Sequence, residues 1–562
     1  MAAFNILDSY LSASIILIAV LIYQYVLYPA IVSPLSRIPA AHWSCSISSA
    51  WILWARFKSR ENRTLHAAHQ RHGPVVRVGP NELSVNSVDA VKTIYQGGFD
   101  KHQWYSVFNN YGVPCMFSSV HAKHHSLRKR MVSHVYSKSY INNSPSLAAQ
   151  ASAILNTGLL PLIAKSVSAA QQPHGVDVHS VFCAAAMDFI SAYCFGMARS
   201  AGFLRDRAFR EHWLTLYTTR KGYGFFAQEL PRLSRALSFL GIRLTPSWVD
   251  AANRELEAWC KKRSDATLRF LEEPGAEAAV ANTADDPVVV HALLAGIDKE
   301  ATTSGEASPL YATAITQRNL SVASEIFDHV LAGQETTGVA LTYLSYHLSQ
   351  SLDLQGKLRR ELLSLKPAMR LGPNGGVVAH PDSRQLDSLP LLHAVVMETV
   401  RRYTPAGGPE PRVTPFPSCR IGPYEVPGGV RVSASAYNLH RDETVFSDPE
   451  TWDHTRWLCR QVGAGEEEKG LVDSDSEFGL ANKEGGEKEK EKDVNRHFWG
   501  FSSGGRMCLG SNFAMHDMKL IIAAIYSNYT SHIVDDEGIE PTDAYTGHPK
   551  SNSLYLRFER VS

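Results

Sequence analysis

Apolar and polar positions alternate differently in successive stretches of this chain. The stretch "SYLSASIILIAVLIYQYVLYPAIVSPLS" lies within a segment that has no charged residue between Asp8 and Arg37. That exceeds the ~20 residues an α-helix needs to cross a hydrocarbon layer. Tyr23, Tyr25 and Tyr28 suit the interfacial end. A cleaved signal peptide would want Lys or Arg ahead of the apolar run, and Met1 to Asp8 holds neither. A buried core helix is the other alternative, but so long a run at an extreme terminus seldom buries itself. The first basic groups follow at Arg37, Arg56, Lys58 and Arg60, so the positive-inside rule puts the rest of the chain in the cytosol. Beyond a Pro-punctuated hinge, "HGPVVRVGPNELSV" predicts a β-hairpin, with Val76 and Val78 alternating before the turn "GPNE" and Leu83 and Val85 after it. Helical periodicity dominates from about 146 to 270. It is clearest in "GVDVHSVFCAAAMDFISAYCFG", which stops at Gly196. Residues 272–286 read as a loop. Two further helices are predicted over 316–350 and 386–403. Frequent Pro and Gly over 405–429 predict short strands and turns. No strand–helix alternation supports a doubly wound α/β fold.

Composition narrows the function classes. The 562 residues are 44% hydrophobic and 20% charged, an ordinary globular balance. A formal net charge of +1 gives no whole-chain basic field for nucleic acid. The eight cysteines are scattered with no C-x-x-C pair, which argues against a disulfide framework and a structural zinc site. A reducing, cytosol-facing setting fits them better. One low-complexity stretch, 461–493, holds eleven acids and five lysines. It reads as an exposed acidic insertion, because its "GGEKEKEKD" tail has too little apolar surface to fold.

Three segments carry chemistry. The middle of the long helix reads "FDHVLAGQETTGVALTYL". Gly333 weakens a helix interior by roughly 1 kcal/mol relative to Ala. The hydroxyls of Thr336 and Thr337 can bond back to carbonyls one turn earlier. Yet the flanks are strongly apolar. A buried helix weakened at its centre, with Glu335 beside Thr336, suggests proton relay through water. A kinked core helix with Glu335 in solvent is the plain alternative, and on this segment alone the two balance. In "VVMETVRRY", Glu398 and Arg401 stand three apart and share a helix face. Buried, such a pair wants further partners, and Arg456 in "DHTRWL" could be one. Third, "FWGFSSGGRMCLGSNFAMH" sets Cys508 among four glycines just before a helix-like run. A helix N-terminus favours thiolate. Gly504, Gly505 and Gly510 leave room for a flat partner, and Arg506 could pair with a carboxylate on it. Axial ligation of haem iron suits this set better than zinc, which takes three or four protein ligands. A nucleophilic cysteine served by His497 or His516, and an inert core thiol, stay open on Cys508 alone.

Taken together, these segments resemble the cytochrome P450 family. "FSSGGRMCLG" matches the pattern F-x-x-G-x-R-x-C-x-G at every fixed position, "AGQETT" the oxygen-activating helix motif and "ETVR" the E-x-x-R motif, in the right order. The style of the hairpin and the long helix is similar to filamentous-fungal members bound to the endoplasmic reticulum. The resemblance implies a mainly α fold with small β-sheets (the cytochrome P450 fold) and an N-terminal transmembrane helix. Residues 1–36 would be anchor and hinge, and 37–562 a haem-thiolate catalytic domain. It implies haem b (iron protoporphyrin IX) as cofactor, with Cys508 the proximal iron ligand. Phe501 would pack beside the sulfur, and Gly510 would let the helix approach the ring. Arg506 and Arg412 would reach the propionates, with His125 and Lys129 aligned to a further propionate-facing pair. Ala332 and Gly333 would widen the helix over the haem. Glu335 and Thr336 would deliver protons during oxygen activation. Glu398, Arg401 and Arg456 would form a structural ion-pair network behind the cysteine loop. His454 stands where the family usually has proline, and His125 where it usually has Trp.

The function implied is a single-pass monooxygenase of the endoplasmic reticulum membrane. It would take electrons from NADPH through NADPH-cytochrome P450 reductase and insert one oxygen into a hydrophobic small molecule, a fungal secondary-metabolite intermediate. The 461–493 insertion would modulate reductase docking. A haem-thiolate isomerase or dehydratase often lacks the Thr found here at 336, and a haem-binding sensor would have little use for a relay pair. By analogy the substrate pocket draws on 101–117, 205–248 and 327–330.

Overall fold

The computed structural model describes residues 2–168, 175–280, 283–372, 376–458 and 493–561. The acidic stretch 461–492 lies outside the described residues. Helix α1 (Ala2–Ile22) continues through a wider helical turn to Val32. Together they give a candidate membrane span, Tyr10–Val32, none of it buried against the rest of the protein. Two other helical stretches are long and apolar enough to cross a membrane, Pro145–Val167 and α5 (below), but they are half-buried and buried inside the fold. Their apolar surface is spent on the core.

Short helices α2 (Ala50–Phe57) and α3 (Glu61–His72) lead into strands β1 (Val75–Gly79) and β2 (Glu82–Val85). The hairpin forms with Val75 opposite Val85 and Arg77 opposite Leu83. Alternation predicted one wet face, but both strands are buried throughout. Val75, Leu83 and Val85 join one apolar cluster, and Val76 and Val78 join another under α2 and α3. Arg77 is buried as well, its guanidinium spent on carbonyls of Gly79, Pro80 and Pro29. The remaining strands are β3 (Val176–Asp177), β4 (Arg412–Val413), β5 (Ser418–Ile421), β6 (Tyr424–Pro427), β7 (Arg431–Ser433), β8 (Tyr529–Asp535) and β9 (Tyr555–Arg560). They pair as a four-stranded sheet in the order β1-β2-β7-β4, a three-stranded sheet β3-β9-β8 and the hairpin β5-β6.

Helices make up most of the body: α4 (Ala122–Val132), α5 (Val178–Phe195), α6 (Arg207–Lys221), α7 (Gly224–Glu229), α8 (Pro231–Phe239), α9 (Ser247–Glu272), α10 (Arg318–Ser349), α11 (Pro390–Arg402) and α12 (Ser511–Tyr526). The Asp177 carboxylate caps the start of α5, and Gly196 ends it at φ 79°. The helix predicted over 386–403 is two helices, because Pro390 holds Leu389 in extended backbone. A short helix, Ala276–Val280, occupies the expected 272–286 loop. The core is built where α10 crosses α5 at close range. A Cβ on Gly338 would lie 2.5 Å from the Cys183 sulfur, and one on Gly333 3.0 Å from the Ile190 side chain. Glycine lets the two helices touch backbone to side chain.

Candidate active site

The sequence around Cys508 looked slack; the structure ties it down from four sides. The Cys508 N–H donates to Phe501 O at 2.9 Å. Ser502, at φ 61°, donates from its hydroxyl to Glu410 at 2.9 Å, and the Trp499 indole donates to Ser503 at 2.9 Å. Gly504 sits at φ 72°, where a Cβ would strike the Tyr95 carbonyl at 2.3 Å. Lys129 on α4 donates to the carbonyls of Gly505 and Met507 at 3.0 and 3.3 Å. That is a different partner from the propionate expected of Lys129: the ammonium is held on the loop itself.

Helix α12 begins at Ser511, with Gly510 as its N-cap. Burial pushes the Cys508 thiol up, and the Gly510 N–H and the Lys129 charge act against that rise. Cys508 is nevertheless exposed by surface area. Both observations hold together if the sulfur borders an internal space that is deep in protein yet wide enough for water. The neighbouring glycines agree: a Cβ built on Gly505 or Gly510 meets nothing within 4 Å.

Helix α10 comes near the sulfur through Asp328. Its flanks are buried, but Ala332 is exposed in mid-helix, and Asp328 and Thr336, one turn either side, are partly exposed. The three form an i, i+4, i+8 stripe on one face. Asp328 is close enough to Cys508 for its charge to raise the thiol pKa. The Thr336 hydroxyl donates to the Ala332 carbonyl at 2.8 Å, the back-bond its position predicted. Two expectations for this helix need correction. The missing side chain of Gly333 faces Ile190 of α5, so its smallness serves helix packing, and Ala332 carries the opening. Glu335 does not stand free beside Thr336. Its carboxylate is paired with the Lys221 ammonium, accepts from Tyr217 at 2.9 Å and lies 3.4 Å from the Thr546 hydroxyl. Burial opposes that charge, but Lys221 holds the carboxyl below its usual range.

A buried basic cluster flanks the space. Arg412 donates to the Tyr105 hydroxyl at 3.1 Å and to Glu410 at 3.1 Å. Arg506 donates to the carbonyls of Ser119 and Val120 at 2.9 and 2.7 Å, with Asp100 at 3.5 Å. Burial, with Arg412 nearby, lowers Arg506 to about 10. His125 is buried; desolvation and the charges of Lys101, Arg506, Lys129 and Arg412 keep its ring neutral by pulling its pKa far down. Sequence reasoning missed Lys101 as a site residue. Its ammonium donates to Phe117 O at 2.6 Å and lies over the Tyr105 and Phe117 rings at 4.3 and 4.4 Å. It makes no ion pair among the described residues. Desolvation, then Arg412 and Arg506, drive its pKa well below that of an ordinary lysine. A buried ammonium without a carboxylate is costly. A dianionic edge placed here would relieve it, and a flat ring would fill the clearance at Gly505 and Gly510. The residues present therefore fit haem with its two propionates.

Behind the loop, Glu398 and Arg401 are fully buried and joined by two bonds of 2.8 and 2.7 Å. Glu398 also accepts from Asp453 N at 2.8 Å, the Trp457 indole at 2.9 Å and Arg456 at 3.4 Å. His454, in place of proline, does not prevent this: it begins a short 3-10 turn capped by the Asp453 carboxylate. A second missed residue, His440, links the network to the loop. Its carbonyl accepts from Arg401 at 3.1 Å, and its Nε2 accepts from the Trp499 N–H at 2.8 Å. Its Nδ1 lies 2.9 Å from Arg401 O. An accepting Nε2 and a donating Nδ1 require the neutral ring. Burial and Arg401 enforce it, lowering His440 to about 3. Nothing in "YNLHRDE" marks this histidine, whose partners come from distant segments.

The family model for cytochrome P450 matches residues 48–555. The cytochrome P450 monooxygenase macH of Penicillium terrestre is 26% identical over 89% of this chain and 88% of its own length. The cytochrome P450 monooxygenase avaI of Aspergillus versicolor is 26% identical over 80% of this chain and 93% of its own. Tryprostatin B 6-hydroxylase of Aspergillus fumigatus is 25% identical over 93% of this chain and 80% of its own. With the thiol, its clearance and the ion-pair network already in place, these likenesses decide the matter: the chain belongs to the cytochrome P450 family, the haem-dependent, oxygen-incorporating oxidoreductases.

Proposed function

We propose that this protein inserts one oxygen atom of dioxygen into a hydrophobic small molecule, an intermediate of fungal secondary metabolism. NADPH would supply the electrons through NADPH-cytochrome P450 reductase. Residues 1–36 would anchor it in the endoplasmic reticulum membrane, and the catalytic domain, 37–562, would face the cytosol. The observation that carries this reading is the open stripe on α10: Ala332 and Thr336 share the helix face of Asp328, whose charge reaches Cys508.

Cys508 would hold haem through its thiolate, and the haem would supply the iron centre for dioxygen activation. The chain's own groups do the rest. The Gly510 N–H and Lys129 stabilise negative charge on the sulfur. Lys101, Arg412 and Arg506 would receive the propionates, with His125 neutral among them. Thr336 holds a proton on Oγ1, parked against the Ala332 carbonyl and free to turn toward the open face. Glu335, kept ionised by Lys221, would take up a proton from solvent and pass it on, not store one. An apolar substrate is favoured by the aromatic cluster in 101–117: the Trp104, Phe108 and Phe117 rings meet tilted and edge-on at 5.6 and 5.1 Å, and Tyr545 packs on Trp104 at 5.3 Å.

Purified full-length protein tests the reading. The reduced, carbon monoxide-bound absorbance should carry the thiolate signature and lose it in Cys508→Ala. NADPH oxidation should require reductase and substrate. Thr336→Ala should still consume NADPH while product per NADPH falls roughly a hundredfold or more, the low end of what general acid–base catalysis supplies. Unchanged coupling would remove Thr336 from the relay. Metabolite profiling of a strain lacking the protein would identify the substrate.

A further inference from the structure

A groove of about 690 Å³ lies between α3 and the 541–550 loop, far from the Cys508 loop in its lining. Lys58, Arg60, Arg63, Arg71, His72 and Lys550 line it. All six are exposed. Among the described residues none of the five Lys and Arg side chains makes an ion pair. The single carboxylate in the lining, Asp543, is already committed: it accepts from the backbone N–H groups of Asn62 and Arg63, each at 3.1 Å. The groove therefore presents five Lys and Arg side chains against one carboxylate, whose charge Arg63 already feels. Like charges so arranged repel, and burying apolar surface needs no such cluster. A phosphate would accept several of these donors together, arginine in bidentate fashion.

Its position names the source of that phosphate. Ala41 lines the groove, and its N–H donates to Arg77 O at 2.9 Å. The Arg77 guanidinium donates to Pro29 O at 2.8 Å, inside the candidate span Tyr10–Val32. One residue thus separates the groove wall from the end of the span. Beside it, Trp43 and Trp54 are 80% and 62% exposed, and Lys58 lies 4.8 Å over the Trp54 ring. Exposed tryptophans with interleaved cations, next to a span, are the pattern of a surface seated at lipid headgroups. We propose that this groove receives the phosphate-bearing headgroup of an anionic lipid from the bilayer that holds α1.

Full-length protein is reconstituted in phosphatidylcholine nanodiscs containing a minor share of phosphatidic acid, then extracted into detergent, and the retained lipid is identified by mass spectrometry. Wild type should retain phosphatidic acid ahead of phosphatidylcholine. Retention should fall about fivefold per cation removed in Arg60→Gln, Arg63→Gln and Arg71→Gln, singly and combined. The span is intact in every variant, so lost selectivity is not lost membrane attachment. Lys550→Gln, on a separate segment, should give the same fivefold drop and keeps the test decisive if the α3 variants fail to fold. Equal retention by wild type and variants overturns the proposal. So does displacement of the lipid by an equal concentration of inorganic phosphate, which would make the groove a site for a free anion.

Discussion

One ring nitrogen ties the cysteine loop to the ion-pair network. His440 must stay neutral to accept from Trp499, and its pKa is lowered from the usual 6.5 to about 3. A depressed histidine contributes stability that is complete above pH 6.5 and is lost as pH falls from 6.5 toward 3. Each unit of that shift corresponds to about 1.4 kcal/mol. Acid titration should therefore erode the thiolate absorbance signature below about pH 6, and His440→Gln, which keeps an acceptor but cannot titrate, should flatten that profile. Lys101 yields a second expectation. Replacing it with Met removes a buried charge without an ion pair among the described residues, but also a partner for the propionates. Lys101→Met should speed haem loss to an acceptor apoprotein several-fold, judged by the absorbance of transferred haem. Cys508 was legible because ten consecutive residues match one pattern. Lys101 and His440 were not, because burial, not neighbours in sequence, makes each one matter.

Helix pairing is where local pattern and tertiary contact divided the information. The apolar runs of α5 and α10 were legible, as was the Gly196 stop; the Asp177 cap came only with the structure. The glycines of "AGQETTG" were not. Their residue type announced something unusual, but only the partner helix shows that Gly333 and Gly338 make room for α5. Gly338→Ala should cost about 1–3 kcal/mol in thermal or denaturant unfolding, since a Cβ 2.9 Å from the Cys183 backbone forces the helices apart. Gly333→Ala should be close to neutral, because a flexible Ile190 can yield and helix propensity returns roughly 1 kcal/mol. Helix α7 makes a different kind of contact. Its Glu229 bonds Arg56 of α2 at 3.0 Å and Arg431 of β7 at 2.8 Å, and both arginines also meet Glu82. The carboxylate is held below its usual range by these arginines, against burial. Glu229→Gln should loosen α7 and α8, read as faster amide exchange over 224–239 with the 508 region unchanged.

The candidate span, the first hairpin and the long helices were legible from hydrophobic pattern, because each is set by periodicity over several residues, whereas the sheet β3-β9-β8 was not. The joints between them were not. Lys221 of α6, Glu335 of α10 and Thr546 of the C-terminal loop meet at one carboxylate, so three segments hundreds of residues apart share a single charge. Sequence offered only Glu335. Arg77 is another such joint. It sits between the alternating Val76 and Val78 with nothing to mark it, yet its guanidinium closes the end of the candidate span onto β1. A body linked to its membrane by loose chain would swing through every tilt. One clamped at the end of its candidate span would behave as a bracket: the height and bearing of its openings would be fixed by a rigid arm, and a molecule dissolved in the lipid would meet the same doorway each time it arrived.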